Sequence, residues 1–205
     1  MPKLVLYIHG QGGKASEAEH YTTLFPDYEI TGLNYKAENP WEAKEEFPLL
    51  VKPLCQKFES VILIANSIGA FYALHALSNI NFERAFLISP IVDMEKLILN
   101  MMARAGVTES ELQDKKEIST SFGEILSWDY LQYIRKYPLN PVNWKTPTEI
   151  LYGENDNLTS YEIINDFAKR LNSSLTVMKN GEHYFHTDEQ MKFLDAWIRK
   201  FEDTL

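Results

Sequence analysis

Short apolar runs rich in β-branched residues, alternating with longer stretches of helical spacing, predict an α/β fold. Its form is an open, mainly parallel six-stranded sheet with helices on both faces. The strand candidates read as continuous apolar runs, as strands covered on both faces do. Helix start signals separate them, and strand–helix–strand succession implies parallel strands joined by right-handed crossovers. One stretch departs from the alternation. Residues 91–145 carry no strand signal and are far longer than an ordinary connection. They predict a helical cap or lid inserted over one end of the sheet.

The first strand candidate is Lys3–Ile8 (KLVLYI). Ser16 and Glu19 then match a capping box, in which each side chain satisfies the other's unpaired backbone donor. A second strand follows at Tyr28–Leu33, and Asn39 before Pro40 marks a helix start with proline at the first helical position. Pro48 and Pro53 interrupt the segment from Trp41 to Phe58, which predicts two short helices or a sharp kink. Ser60–Ala65 is the third strand, followed by an Ala-rich helix to about Ser78, and Arg84–Ser89 is the fourth. Within the insertion, Met94, Leu97, Ile98, Met101 and Met102 form one helical stripe. Trp128, Tyr130, Leu131, Tyr133 and Ile134 form a second apolar cluster, and the mixed-sign run Glu109–Glu117 reads as a solvated loop or helix face. Glu149–Tyr152 and Leu175–Met178 complete the strands. Each precedes a helix with a capping-box start, Thr159/Glu162 and Thr187/Gln190. In the last helix Met191, Leu194, Trp197, Ile198 and Phe201 make one apolar stripe that should pack on the sheet.

The 205 residues are 45% hydrophobic and 24% charged, which fits one domain spanning 1–205 with the 91–145 insertion inside it. A net charge of −9 disfavours nucleic acid and anionic membrane surfaces as partners. Cys55 is the sole cysteine, which excludes an internal disulfide and a cysteine zinc cluster and suits a reducing compartment. No apolar stretch approaches a membrane span, and the amino-terminal apolar run is too short for a signal peptide. These features predict a cytoplasmic protein.

The strongest local signal is Ala65-Asn66-Ser67-Ile68-Gly69, a G-x-S-x-G pattern with alanine at its first position, between a buried strand and an Ala-rich helix. Such a serine occupies a strained strand-to-helix turn that lifts its hydroxyl clear of the sheet, and its close neighbours must be small. Serine is a weak nucleophile until a base takes its proton. His183, in Gly181-Glu182-His183 after the last strand, is the candidate base, and Asp156, in the loop after Glu149–Tyr152, the candidate acid. All three follow strands at their carboxyl ends, where open α/β sheets bind ligands. The glycine-rich run His9–Gly13 after the first strand can offer the Gln11 amide to a developing oxyanion, with the Ile68 amide as the second donor. That run lacks the spacing and lysine of nucleotide-binding loops.

The residues leave competitors. His186 is the second histidine of the GEHYFH run, with a structural role at the following helix start as its other reading. Asp93 follows the fourth strand and competes with Asp156. His9 reads as a brace for the glycine loop, His20 and His75 as surface or packing residues, Glu154 as a rim residue that could bind water, and Cys55 as a small core residue.

With these motifs in view, the chain resembles the α/β-hydrolase superfamily over essentially its whole length, beginning at what corresponds to that fold's third strand. The resemblance implies Ser67 as nucleophile, His183 as base, Asp156 as acid, Gln11 and Ile68 amides as oxyanion hole, and 91–145 as the variable cap. It implies a hydrolase acting on a small-molecule ester or thioester, with no metal or organic cofactor. A catalytically silent ligand-binding module and an acyltransferase are the alternatives.

Overall fold

The computed structural model describes residues 2–139 and 143–201. In chain order the elements are β1 (Lys3–Ile8), a 3₁₀ helix (Ala15–Thr23), β2 (Glu29–Gly32), α1 (Pro40–Lys57), β3 (Ser60–Asn66), α2 (Ser67–Ala76), β4 (Arg84–Ile88), α3 (Met94–Ala105), α4 (Glu109–Lys115), β5 (Glu117–Ser119), β6 (Ile125–Ser127), α5 (Trp128–Lys136), β7 (Thr148–Gly153), α6 (Tyr161–Leu171), β8 (Ser174–Met178) and α7 (Asp188–Arg199). They form two compact units, one made of Met1–Val92 with Asn140–Leu205 and the other of Asp93–Leu139.

The first unit contains a six-stranded sheet in the order β2-β1-β3-β4-β7-β8, every neighbouring pair parallel. Burial follows position in the sheet. β1, β3, β4 and β7 are buried almost throughout, whereas the edge strands β2 and β8 keep several partly exposed residues. Because successive side chains alternate between faces, Val5, Tyr7, Ile62, Ile64, Phe86, Ile88 and Leu151 fall on one face. There they pack with Ala18, Tyr21, Leu24 and Phe25 from the 3₁₀ helix and its end, and with Leu194, Trp197 and Ile198 of α7. Leu4, Leu6, Ile8, Leu63, Leu87 and Ile150 alternate with them and are equally buried. On that second face α2 contacts β1, β3 and β4, α1 packs on α2, and α6 contacts β7 and β8.

Helix starts follow the sequence with shifts. Asn39 Oδ1 accepts the Glu42 N–H at 2.9 Å, and Thr187 Oγ1 accepts that of Gln190 at 3.2 Å. Gln190 reaches back one residue further than a capping box, accepting the His186 N–H at 3.0 Å. At the 3₁₀ helix Ser16 and Glu19 give way to Lys14, whose N–H donates to Glu17 at 2.9 Å. At α6 the cap is Ser160, one residue after the expected Thr159.

Two expectations are corrected. α1 runs as one helix from Pro40 to Lys57 with Pro48 and Pro53 inside it, so the segment is not two short helices. Each proline removes one backbone donor, while the buried face of Ala43, Phe47 and Val51 carries packing past Pro48, and Phe58 is buried beyond Pro53. The expectation that 91–145 contains no strand also fails. β5 and β6 form an antiparallel hairpin closed by Thr120, whose N–H and hydroxyl both donate to the Glu124 carbonyl. Strands of three residues are too short to show periodicity.

Within the second unit, Met94, Ile98 and Met102 of α3 and Leu131 and Ile134 of α5 are buried, and the two helices are in contact. Arg135 crosslinks them to α4, with Nε 2.7 Å from Glu95 and a two-pronged contact on the Glu109 carboxylate at 2.7 Å per prong. No helix among the described residues is long and apolar enough to cross a membrane.

Candidate active site

Ser67 sits where β3 becomes α2, with φ of 49°, in the left-handed region that residues with a Cβ rarely adopt. Strain of this kind costs ~1–3 kcal/mol and persists only where the surroundings enforce it. Here the enforcement comes from both sides. A Cβ on Gly69 would lie 2.1 Å from the His9 carbonyl oxygen, so only glycine lets the first turn of α2 press against the glycine loop. Before the serine, Asn66 Nδ2 donates to the Tyr7 hydroxyl at 3.0 Å, and that hydroxyl donates to Glu17 at 2.7 Å.

His183 lies in the loop between β8 and α7, and its Nε2 is 2.8 Å from Ser67 Oγ. Its Nδ1 is 2.7 Å from Asp156 Oδ2. The Asp156 side chain is fully buried, and that of His183 is 13% exposed. The other Asp156 oxygen accepts the backbone N–H groups of Leu158 at 2.8 Å and Thr159 at 3.0 Å, so both carboxylate oxygens are engaged and the plane of the group is set. The acid and base loops are laced together. Asn155 N–H donates to the Gly181 carbonyl at 2.7 Å, and Asn180 N–H to the Glu154 carboxylate at 2.9 Å. Gly153 permits the approach, since a Cβ there would lie 2.4 Å from the Glu182 carbonyl oxygen.

Ser67, His183 and Asp156 thus form one hydrogen-bonded line. His186 does not join it. Its ring stacks on Tyr184 at 5.1 Å and its Nδ1 takes the Tyr184 carbonyl at 2.7 Å, so it serves its own turn. Asp93 caps α3 through the Lys96 N–H at 2.9 Å. Glu154 accepts the Asn180 N–H and is exposed. His20 is paired with Asp195 at 2.7 Å, and His75 stacks on Phe71, where burial lowers its pKa. Cys55 is half-buried on α1.

Of the residues expected to supply oxyanion donors, Ile68 directly follows the serine and Gln11 follows a glycine that packs against it. Ile68 is in the first turn of α2, where backbone N–H groups have no partner within the helix. Gln11 follows Gly10, whose ideal Cβ position is 3.2 Å from that of Ser67. Among the described residues no cluster of three or more His, Cys, Asp or Glu side chains could hold a metal ion.

No family model matches this sequence, and no curated protein does. Solved structures do match it. Est1E from Butyrivibrio proteoclasticus superposes with a TM-score of 0.72 at 17% identity, over 99% of this chain and 87% of its own. Mouse alpha/beta hydrolase domain-containing protein 10 does so with 0.72 at 15%, over 98% and 90%. A lipase-esterase related protein from Clostridium acetobutylicum gives 0.65 at 18%, over 98% and 94%. The chain has the α/β-hydrolase fold.

In that fold the site gathers at the carboxyl ends of β3, β7 and β8. Residue reasoning overlooked three of its supports. Tyr7 reads as one more apolar strand residue, and Glu17 as one of many helix-surface carboxylates. Tyr35 lies in a loop with no motif. A fourth feature, Ser89 just after β4, shares the left-handed backbone of Ser67. It has φ of 43° and is buried, and its hydroxyl has no hydrogen-bond partner among the described residues.

Proposed function

We propose that this protein is a serine hydrolase that cleaves a small carboxylic ester or thioester through an acyl-enzyme on Ser67. The observation that supports this most is the unbroken line from Ser67 Oγ through His183 to Asp156, with contacts of 2.8 and 2.7 Å. His183 Nε2 takes the hydroxyl proton as Ser67 Oγ attacks the acyl carbon. The Asp156 carboxylate keeps Nδ1 protonated, leaving Nε2 as the base, and stabilises the imidazolium that forms. The Gln11 and Ile68 amides receive the oxyanion. When the tetrahedral species collapses, His183 returns the proton to the departing alkoxide or thiolate. Water, deprotonated by the same nitrogen, then releases the acid and regenerates Ser67.

The names of the structural neighbours favour ester chemistry. Est1E binds ferulic acid in a second structure, which aligns at 16% identity. No step above requires a metal or organic cofactor. Turnover of p-nitrophenyl acetate tests the reading. The wild type should release p-nitrophenol, Ser67→Ala should lose at least ~10⁴-fold, and His183→Ala should match it while His186→Ala stays within a few-fold. Equal turnover by wild type and Ser67→Ala would overturn it. A screen of acyl chain lengths then defines the substrate.

A further inference from the structure

Tyr35, in the loop between β2 and α1, touches the glycine loop twice. Its hydroxyl donates to the His9 carbonyl at 2.9 Å, and its ring stacks on the His9 imidazole at 4.3 Å and 14°. The imidazole in turn has Nδ1 2.8 Å from the Gly10 carbonyl oxygen, a contact that requires the proton on Nδ1. A second donor, the Gly13 N–H, reaches the same oxygen at 3.1 Å. The Gly10–Gln11 peptide is planar and, like every described peptide bond, not cis. Holding the Gly10 carbonyl therefore fixes the direction of the Gln11 N–H, which points the opposite way.

We infer that Tyr35 is a positioning residue for the oxyanion hole, acting through the His9 carbonyl and imidazole to aim the Gln11 amide. This rests on the hydrolase reading above and adds a part to it. Tyr35 is itself held by an aromatic cluster, with Phe47 at 4.9 Å and Tyr72 at 6.4 Å, each edge-on. Burial raises its hydroxyl pKa well above the ordinary tyrosine value, so the group stays a neutral donor through the working pH range. Neither the Tyr35 hydroxyl nor its ring need touch substrate. The effect falls on the transition state, because an amide misaimed by a fraction of an ångström still passes substrate but binds the oxyanion poorly.

The test compares Tyr35→Phe with Tyr72→Phe on p-nitrophenyl acetate, together with inhibition by a phenylboronic acid that forms a tetrahedral adduct on serine. Tyr72 is the matched control. It belongs to the same cluster, and its hydroxyl donates to a backbone carbonyl of similar kind, Glu38 at 2.9 Å, away from the glycine loop. Tyr35→Phe should lower kcat ~10-fold or more with KM within about twofold, and weaken the boronate by a similar factor. Tyr35→Leu, which also removes the stack, should lose more, and Tyr72→Phe should keep wild-type kcat. Wild-type kcat and boronate affinity in Tyr35→Phe would overturn the inference while leaving the hydrolase reading intact. So would equal losses in the two phenylalanine variants, since that would mean general loosening of the cluster. An inactive wild type would instead defeat the underlying reading.

Discussion

The two ends of the central sheet carry polar networks of similar size and opposite design. At the amino ends, Arg84 opens β4, Glu149 lies near the start of β7, and Ser174 opens β8. Arg84 contacts Glu149 at 2.7 Å with side chains 17% and 11% exposed, Ser174 donates to the same carboxylate, and the guanidinium lies over the Phe201 ring at 5.4 Å. All three polar residues stand within regular strands. At the carboxyl ends, Ser67 is in a strained turn and Asp156 and His183 are in loops. The first network neutralises buried charge across neighbouring strands. The second holds an acceptor nitrogen against a hydroxyl and leaves the histidine partly open to solvent. Regular backbone suits the first, whereas the second needs backbone bent away from the sheet so that three side chains can converge.

Breaking each end should therefore damage a different property. The largest effect is expected for Asp156→Asn. Asparagine Oδ1 can keep the Leu158 and Thr159 amides, but its NH₂ group faces His183 Nδ1 and favours the wrong tautomer. Turnover should fall ~10⁴-fold with the thermal midpoint nearly unchanged. Next comes Arg84→Met, which strands a buried carboxylate and should cost ~3 kcal/mol in urea unfolding, with the kcat of the folded protein preserved. Burial already raises the Glu149 pKa above 4.5 against the opposing pull of Arg84. A raised carboxylate pKa means the folded state holds the proton more tightly. The stability deficit of the variant relative to wild type should thus be smallest at low pH and grow as pH climbs from 4.5 through the folded value of Glu149, a trend that paired unfolding curves across that window would expose. The smallest effect is a gain. Ser67→Gly relieves the left-handed strain at that residue and should raise stability by ~1 kcal/mol while abolishing activity. Urea unfolding checks this, and a loss greater than the ~1 kcal/mol that glycine's unfolded-state freedom can cost would mean that the turn holds little strain.

How much was legible in advance divides along the same line. The four inner strands were readable because burial on both faces writes a nearly unbroken apolar run such as KLVLYI or SVILIA. The half-exposed edge strands β2 and β8 were readable from short β-branched runs between helix signals. Ser67, Asp156 and His183 were readable as candidates because each follows a strand, which fixes which end of the sheet it reaches. His183 and His186 share one loop, and what separates them in the sequence is that His186 directly precedes the Thr187 helix cap; Asp156 and Asp93 are separated by the loops they occupy. What escaped depends on contacts between distant segments. Nothing local to Tyr35 announces that its ring meets His9, and nothing in α1 announces that packing of Ala43, Phe47, Val51 and Phe58 outweighs two prolines. The hairpin of β5 and β6 escaped because EIS and ILS are too short for either period to register.

The central claim, that His183 and Asp156 make Ser67 a nucleophile, is tested most directly by covalent capture. Wild type and Ser67→Ala should be incubated with a fluorophosphonate, weighed intact, and digested to map the adduct. One phosphonyl group on the wild type, located at Ser67 and absent from the variant, is the predicted result. A folded wild type that stays unmodified, or an adduct on another residue, would contradict the account.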